Sequence, residues 1–164
     1  MNPLTQINRW LSKLTMWLAC LCLAGLLAVV VYGVVMRYVF NDAPAYVEQV
    51  ALLLVISVAM FGASAGVRDA GHIGLDSLVK ALSERLQFAC KVLVHLCVMA
   101  FAAALLIGGA LMAVSTKSST IPTLGLSEAY RYLPVLISGV LITLFSVEHL
   151  VALFTGKKVD PSWH

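Results

Sequence analysis

Cysteines and histidines are the residues here with the most chemistry to offer. Thiol pairs can relay disulfides, and the four cysteines fall as Cys20 with Cys22 and Cys90 with Cys97. Such a relay needs accessible thiolates, usually spaced C-x-x-C, on an oxidising face. Cys20 and Cys22 would point to different sides of a helix, so all four are expected to be small buried hydrophobes. His95 and His149 offer a second chemistry. Both stand a short way into apolar segments, at comparable depth. Two facing imidazoles at one level of a helical bundle are the ligand set of a bis-histidine haem. Lys91 lies one turn from His95, and Glu148 adjoins His149, so charge pairing is the other account of these four residues.

The remaining candidates are charges at the ends of apolar runs. Arg37 closes one run and Glu48 opens the next, which suits an ion pair or a contact with a partner protein. Ionisable groups near a membrane are functional candidates, although the helix dipole alone also favours a carboxylate at a helix start. Arg68 with Asp69 reads as anchoring at an interface. The sequence holds no nucleophile–base pair, no metal-ligand cluster and no phosphate-cradling glycine loop. Catalysis has no residues to run on, and no cofactor is expected outside the haem reading.

The elements that position these residues follow from composition. Of 164 residues, 61% are hydrophobic and 12% charged, and mean hydropathy is +0.95. Soluble domains carry roughly 45–50% apolar and about 25% charged residues. A chain this small cannot hide such an excess from water, so its solvent is lipid. The net charge of +3 is small and scattered, which argues against a nucleic-acid partner. Disorder is excluded by the hydrophobicity. Four apolar stretches, approximately 14–36, 48–67, 90–115 and 132–154, match the roughly 20 residues needed to cross a bilayer. The first is too long for the 7–15-residue core of a signal peptide. The expected fold is an all-α integral membrane protein with four transmembrane helices in a single domain, 1–164.

Orientation follows from the basic residues. Arg9, Lys13, Arg68, Lys80, Arg85, Lys91, Lys157 and Lys158 fall on one side; Arg37, Lys117 and Arg131 fall on the other. The positive-inside bias puts both termini and the middle loop in the cytoplasm. Trp10 and Trp17 then mark the inner interface, and Tyr38, Phe40, Tyr46, Tyr130 and Tyr132 the outer one. In the middle loop Leu75, Leu78, Val79, Leu82 and Leu86 recur at helical spacing opposite Asp76, Lys80, Ser83, Glu84 and Arg85. This predicts an amphipathic helix over 73–87, lying along the cytoplasmic interface. Gly62 and Gly66, with Ala59 and Ala63, form a small-residue face on the second span, and Ala104 and Gly108 one on the third. Such faces let helices approach closely, within this bundle or against another membrane protein.

Four stretches carry a family resemblance. Arg37 is followed by Asn41-Asp42-Ala43-Pro44-Ala45-Tyr46-Val47-Glu48-Gln49. Next come Phe61-Gly62-Ala63 and Arg68-Asp69-Ala70-Gly71-His72-Ile73-Gly74-Leu75-Asp76, and the last outer loop runs from Thr120-Ile121-Pro122 to Tyr132-Leu133-Pro134. In this order the sequence resembles the small, DctQ-like membrane subunit of tripartite ATP-independent periplasmic (TRAP) transporters. Tyr46 stands where that family usually has Trp, and Gln49 where it has a second Glu. The resemblance implies a scaffold subunit in a bacterial inner membrane. It would bind a large multi-span subunit that moves substrate by a sodium-driven elevator motion. A periplasmic binding protein would deliver a small organic anion, such as a dicarboxylate or a sialic acid. It further implies that Arg37, Tyr46 and Glu48 serve the outer face, and that Arg68, His72 and Asp76 fix the inner loop. The rival from another class is a haem-binding membrane anchor of an oxidoreductase using His95 and His149.

Overall fold

The computed structural model describes residues 3–69, 83–121 and 123–155. Four long α-helices dominate: α1 (Pro3–Val39), α2 (Ala45–Asp69), α3 (Glu84–Ser115) and α4 (Leu133–Thr155), with a short 3-10 turn at Glu128–Tyr132 before the last. All four are long and apolar enough to cross a membrane. Helices are the form that such segments must take, because lipid offers no partner for a backbone N–H or C=O. With 37 residues, α1 is about 55 Å long.

Helices α1, α2 and α3 overrun the spans expected for them, and α4 agrees with its own to within one residue at each end. Ser83, in extended conformation, precedes α3, so Glu84, Arg85, Leu86 and Gln87 form the first turn of a membrane helix. They are not the end of a separate interfacial one. The rest of the expected amphipathic helix, with His72 and Asp76, lies outside the described residues.

The turn from α1 to α2 is tight. Asn41 takes a left-handed conformation (φ 52°), which Asn tolerates better than most residues. The Asp42 N–H returns to the Met36 carbonyl at 3.1 Å, capping the helix end. The loop after α3 is also built. The Ile121 N–H donates to Leu126 O at 2.8 Å and the Glu128 N–H to Ser119 O at 2.9 Å, with Ile121 buried beneath. Gly125 supplies the positive φ (63°) that this hairpin requires.

The helices do not close into a bundle. Contacts run α1 to α2, α2 to α4 and α4 to α3, with a lesser contact between α1 and α4. The architecture among the described residues is therefore a row in the order α1, α2, α4, α3. Its core lies between α2 and α4, where Phe61, Ala65, Ile142 and Phe145 pack among Ser57, Ser64, Ser138 and Ser146. Serine suits this place because it is small and can return its hydroxyl to its own helix. Ser57 bonds to Leu53 O and Ser64 to Phe61 O. Ser138 instead crosses to the Met60 carbonyl and ties α4 to α2.

Within the chain, the close approaches lie elsewhere than at the small-residue faces. A Cβ at Gly62, Gly66 or Gly108 would meet none of the described residues within 4 Å, and Ala104 is exposed. A Cβ at Gly33 would instead lie 2.7 Å from Val47 Cγ1, and one at Gly139 2.8 Å from Leu106 Cγ. These two glycines set the α1–α2 and α3–α4 spacings. The cysteines depart from expectation too: Cys20 and Cys97 are exposed on helix surfaces, with Cys22 and Cys90 half-buried. In lipid an exposed thiol is simply another apolar group, so burial is not required of it.

Gly139→Ala should therefore destabilise the purified chain in detergent by about 1–3 kcal/mol, the usual cost of overpacking. Gly66→Ala should leave its thermal midpoint unchanged or raise it. Equal losses at the two positions would contradict the row.

Candidate functional site

Polar side chains gather at two levels, one at each end of the row. At the end bearing the described termini, Arg68 of α2 is buried with a side-chain exposure of 0%. Its Nε lies 3.2 Å from Glu148 Oε2, and its Nη2 lies 3.4 Å from Glu148 Oε1, so α4 answers α2 with a two-pronged contact. Arg68 Nη1 reaches Asp69 Oδ1 at 3.3 Å. Helix α1 contributes neutral groups. Asn8 Nδ2 donates to Glu148 Oε2 at 2.9 Å, and Ser12 Oγ to Asp69 Oδ2 at 2.9 Å.

Asn8, Ser12, Thr15 and Ala19 are the buried residues of α1, and their spacing of four, three and four is one helical stripe. Short polar residues at helical spacing are the signal in the sequence for this stripe. Glu148, the charge beside His149, is a second signal. A carboxylate set within the last apolar run needs a partner at its own depth, and Arg68 is the cation that supplies it.

The histidines join the same cluster. His149 Nε2 is 3.1 Å from the Arg68 carbonyl; since a carbonyl only accepts, Nε2 carries the proton. His95 of α3 is buried and lies face to face with His149, ring centroids 5.1 Å apart and planes inclined by 13°. Haem ligation requires each ring to point a nitrogen edge-on at an iron roughly 2 Å away, from opposite sides of the macrocycle. Stacked rings 5.1 Å apart leave no gap for a macrocycle between them, and one Nε2–H is already engaged. The haem reading is not supported. The pair serves instead to bring α3 against α4, and no group of three metal-ligating side chains occurs among the described residues.

At the opposite end, Arg37 and Glu48 form the ion pair that their positions suggested, with Arg37 Nη2 3.3 Å from Glu48 Oε1. Tyr46 OH is 3.0 Å from Tyr32 OH, a second tie between α1 and α2. Arg131 reaches from the 3-10 turn to Gln49 of α2, and its Nη1 holds Glu128 at 3.1 Å. Gln49, one of the two residues that depart from the family pattern, is thus in use, as an amide acceptor for an arginine.

These features define a class first. Four apolar helices tied one to the next by polar side chains make a polytopic membrane protein. Residues 26–156 match the family described as tripartite ATP-independent periplasmic transporters, DctQ component, and the chain belongs to that family. It is a component of a TRAP transporter, a small permease subunit of the bacterial inner membrane, and not an enzyme. Among similar proteins is one named as a TRAP transporter small permease protein from Haemophilus influenzae, 27% identical over 87% of this chain and 88% of its own length. The C4-dicarboxylate TRAP transporter small permease protein DctQ of Vibrio cholerae is 26% identical over 63% of this chain and 45% of its own. The sialic acid TRAP transporter permease protein SiaT of H. influenzae is 27% identical over 55% of this chain but only 15% of its own, so the matching portion is a small part of a longer polypeptide.

The clamp makes a quantitative expectation. Glu148→Met leaves a buried guanidinium short of its partner and should cost about 3–5 kcal/mol of stability. Adding Arg68→Met should recover part of that, so the double variant falls short of the summed losses by at least about 1.5 kcal/mol. Strict additivity in a double-mutant cycle would show that the pair carries no coupling.

Proposed function

We propose that this chain is the scaffold subunit of a sodium-driven importer. The importer takes up a small organic anion, a dicarboxylate or a sialic acid, as the names of two relatives suggest. The large membrane subunit carries the substrate, and a periplasmic binding protein delivers it. The small subunit widens the part of the assembly that stays still while the large subunit moves. One observation supports this best: a Cβ on Gly62 or Gly66 of α2 or on Gly108 of α3 would meet no described residue within 4 Å, so these positions have room for another chain. Small residues allow close backbone approach in lipid, where association rests on packing rather than on apolar burial. With Ala104 they form the faces on which the large subunit docks.

The other residues take structural parts. Arg37, Tyr46 and Glu48 hold the outer end of α1 and α2 in the shape a partner meets, while Arg68 holds the inner end. His72 and Asp76 belong to the middle loop, whose placement on the cytoplasmic side follows from the basic residues. Both termini share that side.

Two experiments test the reading. Gly66→Leu should leave the small subunit alone as stable as the wild type, because the position is open, yet abolish its co-purification with the large subunit. Retained co-purification would remove Gly66 from the docking face, and wild-type uptake activity without any partner would end the scaffold reading. Reporter fusions after His164 should be active only in the cytoplasm, and fusions near Ser119 only in the periplasm. The reverse pattern would overturn the orientation.

A further inference from the structure

The hairpin end of α1 and α2 carries a groove with a charged rim. Its volume is about 300 Å³, and Val30, Gly33, Val34, Val47 and Ala51 are among its lining residues. Arg37 and Glu48 stand on the rim. Their contact engages one guanidinium N–H and one carboxylate oxygen at 3.3 Å, and their side chains stay 58% and 75% exposed. Neither residue makes another hydrogen bond to a described residue. The remaining Arg37 donors and the second Glu48 oxygen are therefore open to something outside the chain. Position narrows what that is. The pair sits where the hydrocarbon segments end, beside the exposed rings of Tyr38 and Phe40, at headgroup level. The groove below is apolar and is an opening between two membrane helices.

We propose that this groove binds one zwitterionic phospholipid bearing a primary ammonium, a phosphatidylethanolamine. Its phosphate lies on Arg37, its ammonium on Glu48, and an acyl chain lies between α1 and α2. Charge complementarity selects this headgroup. Arginine matches a phosphate with parallel N–H donors, and an ammonium with three N–H groups can donate to the free carboxylate oxygen. An anionic headgroup without an ammonium meets Arg37 but is repelled by Glu48. A choline headgroup keeps the charge but has no N–H to give. The Gly33–Val47 approach seats the two helices closely at the floor of the groove, so the cleft above is a fixed feature of their packing.

The test uses the full chain purified from membranes, equilibrated with vesicles of equal phosphatidylethanolamine and phosphatidylglycerol content and identical acyl chains. Native mass spectrometry then counts retained lipid. One phosphatidylethanolamine should be retained, favoured at least about fivefold over phosphatidylglycerol. Replacing it with phosphatidylcholine should lower retention at least about fivefold without any mutation. Glu48→Gln should abolish the preference between the two headgroups, Arg37→Gln should abolish retention of either, and Ala51→Phe should expel the lipid by filling the groove. Circular dichroism confirms that each variant is helical, and the phosphatidylcholine comparison stands even where a variant fails to fold. Absence of a retained lipid, equal or better retention of phosphatidylglycerol, unchanged retention of phosphatidylcholine, or undiminished retention by Ala51→Phe would each overturn the proposal.

Discussion

A guanidinium with no exposed surface, held by a carboxylate 80 residues away, sets the terms for the terminal end of this molecule. Arg68 and Glu148 sit at the same depth on helices that have little other reason to choose one register over another. Apolar packing in lipid is permissive, because the solvent is as apolar as the side chains. A charge is not permissive, since leaving it unpaired is costly at that depth. The pair therefore fixes how α2 and α4 slide and turn. Asn8 and Ser12 extend the arrangement to α1, and the His149–His95 stack extends it to α3. Every helix in the row is tied into one polar layer.

The opposite end is fastened more loosely and by other means. Arg37–Glu48 and Tyr32–Tyr46 are exposed contacts, and exposed ion pairs contribute about 1 kcal/mol or less. There the spacing is set by the absence of a side chain at Gly33. Between the ends, Ser138 reaching Met60 adds a cross-helix polar bond. Serine and alanine otherwise let α2 and α4 approach as smooth cylinders.

Much of this was legible in the residues. The four spans follow from charge-free length alone, and the helices enclose nearly all of each. The Arg37–Glu48 pair follows from two charges flanking a tight turn, where sequence neighbours must be spatial neighbours. What escaped was anything joining distant segments. Arg68 does touch its neighbour Asp69, the partner that adjacency suggests, but its principal partner lies on the last helix. His95 and His149 were correctly placed at one level, yet the same depth matching serves a stack as well as a metal. Ring orientation is set by packing and leaves no trace in spacing. The glycine faces show the same limit: G-x-x-x-G announces a close approach without naming the partner, and here it is Gly33 and Gly139 that meet their own chain.

Gln49 brings out one more property. A carboxylate facing Arg131 would give a contact whose strength falls as acid protonates it and as salt screens it. An amide does not titrate and carries no net charge. The tie between α2 and the turn that leads into α4 therefore holds at nearly constant strength across acid and saline surroundings. Exchanging one charge for a neutral acceptor gives up some attraction in return for indifference to the medium.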